Sequence, residues 1–287
     1  MVQKEVYVRP LLSRFRETLS LLSQHLLLFL PDLLLLVFTG LFTSLFLYVN
    51  GLWSTFFLSQ FQQHYFADKV RLIFSETPKL ITLILSFVIL LSLNIIVGLQ
   101  LVALRYEFVR ASVAHERFRL FSAYRRARKH IPSLFILKFI LGLLYTLPLL
   151  FVTWIQFRFP SPLVSAILFT LLGLFWAFLY FSFFFAYPIV YQTNRGIRAF
   201  RLSVQTFFRR PKYTIMAVLV VTLVQFILTF IFTTLPSFWI RFALHYGYFI
   251  YTPYALGIIG LLFLVFTKIW FKVWEATFSF SCYKDVH

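Results

Sequence analysis

The chain has 287 residues, 61% of them hydrophobic and 13% charged, with forty Phe and fifteen Tyr; soluble proteins run at roughly 45–50% apolar and about 25% charged. No polar stretch is long enough to form a soluble domain, so the composition excludes one and implies a membrane domain with short connectors. The net charge of +18 raises nucleic acid as a partner, but the basic residues stand between apolar runs rather than on a soluble fold with a recognition motif. There the nearest polyanion is a layer of anionic lipid headgroups, towards which each Lys or Arg contributes on the order of 1 kcal/mol.

Residues 8–24 place Leu11, Phe15, Leu19 and Leu22 at helical spacing, with Arg9, Ser13, Arg16 and Ser20 elsewhere on the wheel. This predicts an amphipathic helix lying in the membrane interface. A first span follows from about His25 to Tyr48; Pro31 and Asp32 fall in its first turns, where Pro is tolerated and a carboxylate favours the helix start. The apolar run lacks a small-residue cleavage site and is expected to stay as an anchor. Residues 50–78 mix aromatics with Ser, Gln, His64, Asp68 and Glu76, and read as an outer interfacial segment.

The second span covers about 79–104 and contains Asn94 and Gln100. A basic connector, Arg105 to Pro132, holds eight Lys/Arg residues against Glu107 and Glu116. A third span occupies about 133–155, and a short turn leads to a fourth over about 163–191, long enough to tilt or to kink at Pro188. The second basic connector, Gln192–Lys212, carries Arg195, Arg198, Arg201, Arg209, Arg210 and Lys212. A fifth span (about 213–235), an aromatic outer loop (236–252) and a sixth span (about 253–275) complete the chain. Each run has the roughly 20 residues needed to cross the hydrocarbon, and helices satisfy the backbone there. The fold class expected is therefore an all-α polytopic bundle of six transmembrane helices, with two or three amphipathic interfacial helices.

Orientation follows from charge. The N-terminal segment, both connectors and the C-terminal end, with Lys268, Lys272 and Lys284, carry 21 of the 27 Lys/Arg. The opposite side has only Lys69, Arg71, Lys79, Arg158 and Arg241, and Lys138 lies in a span near its start. The positive-inside rule then puts both termini in the cytoplasm and the protein in the cell membrane.

The two connectors superpose without gaps, Arg119 on Arg198, Phe121 on Phe200 and Pro132 on Pro211. This suggests three units of amphipathic helix, span, outer turn and span, about 1–104, 105–191 and 192–287. The segment Asn194-Arg195-Gly196-Ile197-Arg198-Ala199-Phe200-Arg201-Leu202-Ser203-Val204 resembles the "GxxxAxxxS" connector of a loose group of prokaryotic six-span proteins, among them the membrane domain attached to some glycerophosphodiester phosphodiesterases. Gly196 stands three places before Ala199 rather than four. The resemblance implies a prokaryotic membrane protein and transfers no functional residue.

Little in the chain points to catalysis. The lone Cys282 permits neither a disulfide nor a thiolate metal site. The six histidines show no HExxH and no paired spacing, and neither GxxxxGKS/T nor GxSxG occurs. No catalytic residue, metal or cofactor is expected. The residues left to consider are of two kinds. Arg117, Arg119, Arg125, Arg126, Arg128, Lys129, Arg195, Arg198, Arg201, Arg209 and Arg210 are candidates for binding anionic lipid headgroups. Asp32, Asn94, Gln100 and Gln225 are the polar residues within spans, either helix-packing glue or a solute path. The expected function is non-enzymatic, a lipid-interacting or membrane-organising subunit; the rival is a permease for a hydrophobic or weakly polar solute, with a lipid-acting enzyme third.

Overall fold

A computed structural model describes residues 11–52, 75–116, 120–159, 161–234 and 252–286. The expected outer segments at 50–78 and 236–252 fall mostly outside the described residues, as do Arg117 and Arg119. In chain order the helices are α1 (Leu11–Gln24), a 3-10 turn (Leu26–Phe29), α2 (Leu30–Val49), α3 (Thr77–Val113), α4 (Leu120–Arg128) and α5 (Ile131–Arg158). There follow α6 (Pro162–Phe183), α7 (Ala186–Thr193), α8 (Gly196–Arg209), α9 (Pro211–Thr229) with a π turn (Phe230–Thr234), and α10 (Thr252–Val286). Every described element is helical.

Five stretches are long and apolar enough to cross a membrane: Leu26–Val49, Thr77–Val113, Ile131–Arg158, Pro162–Thr193 and Pro211–Phe232. Four of them open with a proline in the first turn (Pro78, Pro132, Pro162, Pro211). There the missing N–H would have had no intrahelical partner in any case. The stretch Pro162–Thr193 is interrupted at Phe184–Phe185. Pro188 sits in the first turn of α7, and its ring crowds the carbonyl four residues back, Phe184. The break therefore falls one turn before the proline. It leaves the Ser182 carbonyl free to accept from Ser203 Oγ at 2.8 Å.

The chain divides into two compact units, Leu30–Val102 and the remainder. In the smaller, α2 pairs with the first part of α3. Thr39 Oγ1 donates to Asn94 Oδ1 at 3.3 Å, Asn50 Nδ2 donates to Ser86 Oγ at 2.9 Å, and the rings of Phe46 and Phe87 meet edge to face at 6.1 Å. These are neutral interhelical bonds of the kind that hold helices together in lipid.

In the larger unit the buried core is concentrated at one end. It gathers the last turns of α3 (Ala103, Phe108, Val109), the start of α5 (Leu134, Leu137), most of α7 and the second half of α10 (Val273, Trp274, Phe278). Cross-links there are specific: Tyr191 donates to the Ala103 carbonyl at 2.5 Å, Tyr106 stacks on Tyr187 at 4.6 Å, and Lys284 donates to the Val113 carbonyl. Away from that end the spans expose their side chains. Leu147, Leu150, Phe151 and Trp154 on α5 and Leu171 and Leu174 on α6 are all exposed. The division has a physical cause. Burying a Leu or Phe away from water is worth about 1.5–3 kcal/mol, whereas lipid tails give helices no such reason to pack.

Candidate functional site

The basic connectors build one concave feature. At the end of α7, Asn194 adopts the left-handed conformation (φ 50°, ψ 29°), and its N–H closes on the Val190 carbonyl at 2.8 Å. Asn tolerates this region better than most residues. The turn swings the chain into α8, where Ser133 Oγ, from α5, donates to the Asn194 carbonyl at 2.8 Å. Gly196 then passes so close to α5 that a Cβ would run into the Ser133 carbonyl oxygen and come within 3.1 Å of the Ile136 side chain. Only glycine allows this approach.

The result is a groove of about 780 Å³ between the first turns of α5 and α8. Arg195, Arg198 and Arg201 line it with Ile136, Ile197 and Leu202. The two helix N-termini add partial positive charge. α8 buries its small face (Gly196, Ala199, Ser203, Thr206) and exposes Ile197 and Phe208 beside its arginines. α4 follows the same plan: Ala123 and Ala127 are buried, while Phe121 is 87% exposed next to exposed Arg125 and Arg128.

The remaining candidate cations differ in circumstance. Arg125, Arg128, Lys129 and Arg209 are exposed. Arg126 is engaged, its Nε 2.7 Å from Glu107 Oε1 and its Nη1 3.9 Å from Glu116. Arg210 donates to the Asp285 carbonyl at 3.2 Å. Of the intramembrane polar set, Asp32 is buried in the first turn of α2, and Asn94 pairs with Thr39. Gln100 lies on α3; these three belong to the smaller unit and Gln225, on α9, to the larger. Gln225 lines a second cavity there, of about 530 Å³, with Tyr180, Thr229, Lys268, Lys272 and Glu275.

Three acids that composition leaves unremarkable carry the electrostatics of the core. Glu107 is 1% exposed and receives Arg110 in a two-point contact (3.0 and 2.9 Å), while Arg110 also reaches Glu116 at 3.1 and 3.0 Å. Asp285 receives Arg14 in the same fashion, one bond at 2.8 Å, and Arg14 also holds Glu17 at 2.7 Å. Glu275, half-buried, accepts from Tyr180 Oη at 2.7 Å. Asp285 and Glu275 are recognisable only once a distant helix supplies a partner, whereas Glu107 takes Arg110 from its own helix and Arg126 from α4.

These neighbours shift titration. Arg110's hydrogen bonds hold Glu116 below the usual carboxylate range. The hydrogen bond to Asp285 raises Arg14 further. Burial lowers His130, which packs on Tyr191 with ring centroids 4.3 Å apart. Burial pushes the Cys282 thiol up to about 12. Among the described residues, no group of three or more His, Cys, Asp or Glu is placed to hold a metal ion.

No protein family, curated protein or solved structure matches this chain.

Proposed function

We propose that this membrane protein is a non-enzymatic, lipid-interacting component whose cationic helices α4 and α8 lie against the cytoplasmic leaflet and hold anionic headgroups. One observation carries the reading. Outside the spans, α4 and α8 bury small residues and turn outward a mixed face of arginine with Phe121, Ile197 and Phe208. Water gives no reason to expose those side chains beside arginines, whereas the headgroup–acyl boundary accommodates both. The groove between α5 and α8 suits a phosphate among Arg195, Arg198 and Arg201, with the first methylenes on Ile136 and Leu202.

We further read α10 as a sixth span over about 253–275, in the cell membrane with both termini cytoplasmic. The helices support three repeated units, because α1 precedes α2 and α3, α4 precedes α5 and α6, and α8 precedes α9 and α10.

The test is lipid retention. The protein is purified from bilayers of mixed phosphatidylglycerol and phosphatidylcholine, and the bound lipid is quantified by mass spectrometry. Combined R195Q/R198Q/R201Q and R125Q/R128Q/K129Q substitutions should bring the retained phosphatidylglycerol down towards its bulk fraction. Arg126 is spared because Glu107 and Glu116 occupy it. Unchanged enrichment would overturn the reading.

A further inference from the structure

Helix pairing sets the surroundings of two lysines that the sequence groups with the basic C-terminal end. α9 and α10 pack antiparallel, with Tyr213 Oη 3.3 Å from the Cys282 carbonyl at one end and the rings of Phe232 and Phe263 6.1 Å apart at the other. At 1.5 Å of rise per residue, Lys272 lies roughly 15 Å and Lys268 roughly 21 Å along α10 from Cys282. Tyr213 follows directly on Arg209, Arg210 and Lys212, where the apolar run of α9 begins. With the sixth span ending at about residue 275, Lys272 lies roughly 5 Å and Lys268 roughly 10 Å inside its cytoplasmic end. Lys272 is close enough to snorkel to the headgroups, whereas Lys268 stands two turns in.

Both ammonium groups line the 530 Å³ cavity between α6, α9 and α10. Lys268, Lys272 and Glu275 follow at i, i+4 and i+7, one face of the helix. Glu275 is held by the Tyr180 hydroxyl at 2.7 Å. Lys268 and Lys272 are exposed at the cavity, and Lys272, one turn before Glu275, acts on that carboxylate electrostatically. Gln225 and Thr229 add neutral polar groups on the α9 side, and Leu228, Phe232 and Phe271 form apolar wall. Ionised groups within a span are rare and mark binding sites or paths, and a pocket of this size falls in the small-molecule range of about 300–1,000 Å³.

We infer that the cavity binds a single-chain anionic amphiphile. Its carboxylate or phosphate head sits between Lys268 and Lys272, within reach of Gln225, and its alkyl chain runs along Leu228, Phe232 and Phe271. Glu275, tied to Tyr180, closes the cavity's α6 side to a second anionic group. The site uses no residue of the α5–α8 groove, and neither reading depends on the other.

Photo-crosslinking tests this with the full chain in phosphatidylcholine nanodiscs. The probes are a diazirine-bearing palmitate and the matching uncharged diazirine hexadecanol, and labelled peptides are mapped by mass spectrometry. Palmitate should label α9 and α10 at residues 225–232 and 264–271, and K268Q/K272Q should cut that labelling at least about tenfold. K268R/K272R should retain it, separating charge from folding. In the unaltered protein, excess unlabelled palmitate or lysophosphatidate should displace the probe while hexadecanol does not. The stronger competitor tells carboxylate from phosphate. Equal labelling by acid and alcohol, displacement by hexadecanol, or full labelling of K268Q/K272Q would each overturn the inference.

Discussion

Arg14 and Asp285 stand 271 positions apart and meet in a buried two-point ion pair, with Tyr213 Oη 3.3 Å from the same carboxylate. Removing one partner of a buried pair leaves the other charged and unsatisfied, at a cost of about 3–5 kcal/mol, whereas replacing both with apolar side chains of similar size is often near neutral. Asp285→Asn should therefore lower the melting temperature sharply, and R14M/D285L should recover most of the loss. Cys282 provides the readout. It is the chain's single cysteine and is buried with its thiol raised, so a maleimide dye reaches it only on unfolding. A second residue-scale expectation concerns acid. Burial holds His130 below its ordinary value, while the unfolded chain titrates near 6.5. Below about pH 6.5 the unfolded state takes up the proton first, and stability falls. Glu116 acts in the same direction at lower pH: its contribution is present above the unfolded carboxylate value, about 4.3, and is lost as pH drops. A melting series from pH 7 to 5 should decline in the unaltered protein and flatten in His130→Asn; the same slope in both would remove His130 from the account.

At the scale of elements, α8 shows what could be read from the chain and what could not. Gly196, Ala199 and Ser203 enter from the sequence only as the residues of a connector resemblance within a basic helix. All three prove buried: Gly196 against the Ser133 carbonyl, Ala199 fully enclosed, Ser203 bonded to the Ser182 carbonyl. The pattern is a packing surface, and its spacing was legible because helical periodicity is local. What the surface packs against was not legible, since Ser133 and Ser182 belong to other helices. The same limit applies to Asp285, whose partner Arg14 arrives from α1, and to the Arg126 that α4 brings to Glu107. Two substitutions probe this joint. Gly196→Ala forces a Cβ into a carbonyl and should cost about 1–3 kcal/mol. Ser203→Ala leaves the Ser182 carbonyl exposed by the helix break without its donor, at about 1–3 kcal/mol. Thermal melts of both variants, read at Cys282, check the pair; unchanged melting in Gly196→Ala would mean that α8 can back away from α5.

Across the whole molecule, apolar run length picked out six spans, and five of them stand as helices long and apolar enough to cross, because roughly 20 apolar residues is a requirement the bilayer imposes on any sequence. What a side chain faces across a helix pair was not available in the same way. Lys268 and Lys272 count with the basic C-terminal end in the sequence, and only the pairing of α9 with α10 gathers them with Gln225 and Thr229 around one cavity. Topology remains testable by single cysteines in a Cys282→Ala background. R128C and R209C should react from the cytoplasmic face, and K79C from the opposite face alone; mixed labelling would refute the orientation.

The unequal distribution of burial also has a mechanical consequence. In the larger unit the packed end is held by Trp274, Phe108, Leu134 and their neighbours, while the span windows of α5, α6 and α9 are only 11–17% buried. Those legs are solvated by lipid, and α5, with 28 residues, is roughly 42 Å long against a hydrocarbon thickness of about 30 Å. Changes in bilayer thickness are then taken up by tilting of the legs, at fractions of a kcal/mol per Å, rather than by repacking of the end that joins them. The bundle behaves as a stiff plate on compliant supports. Melting reported at Cys282 should accordingly vary little between thin and thick bilayers, while the tilt of α5 follows the membrane.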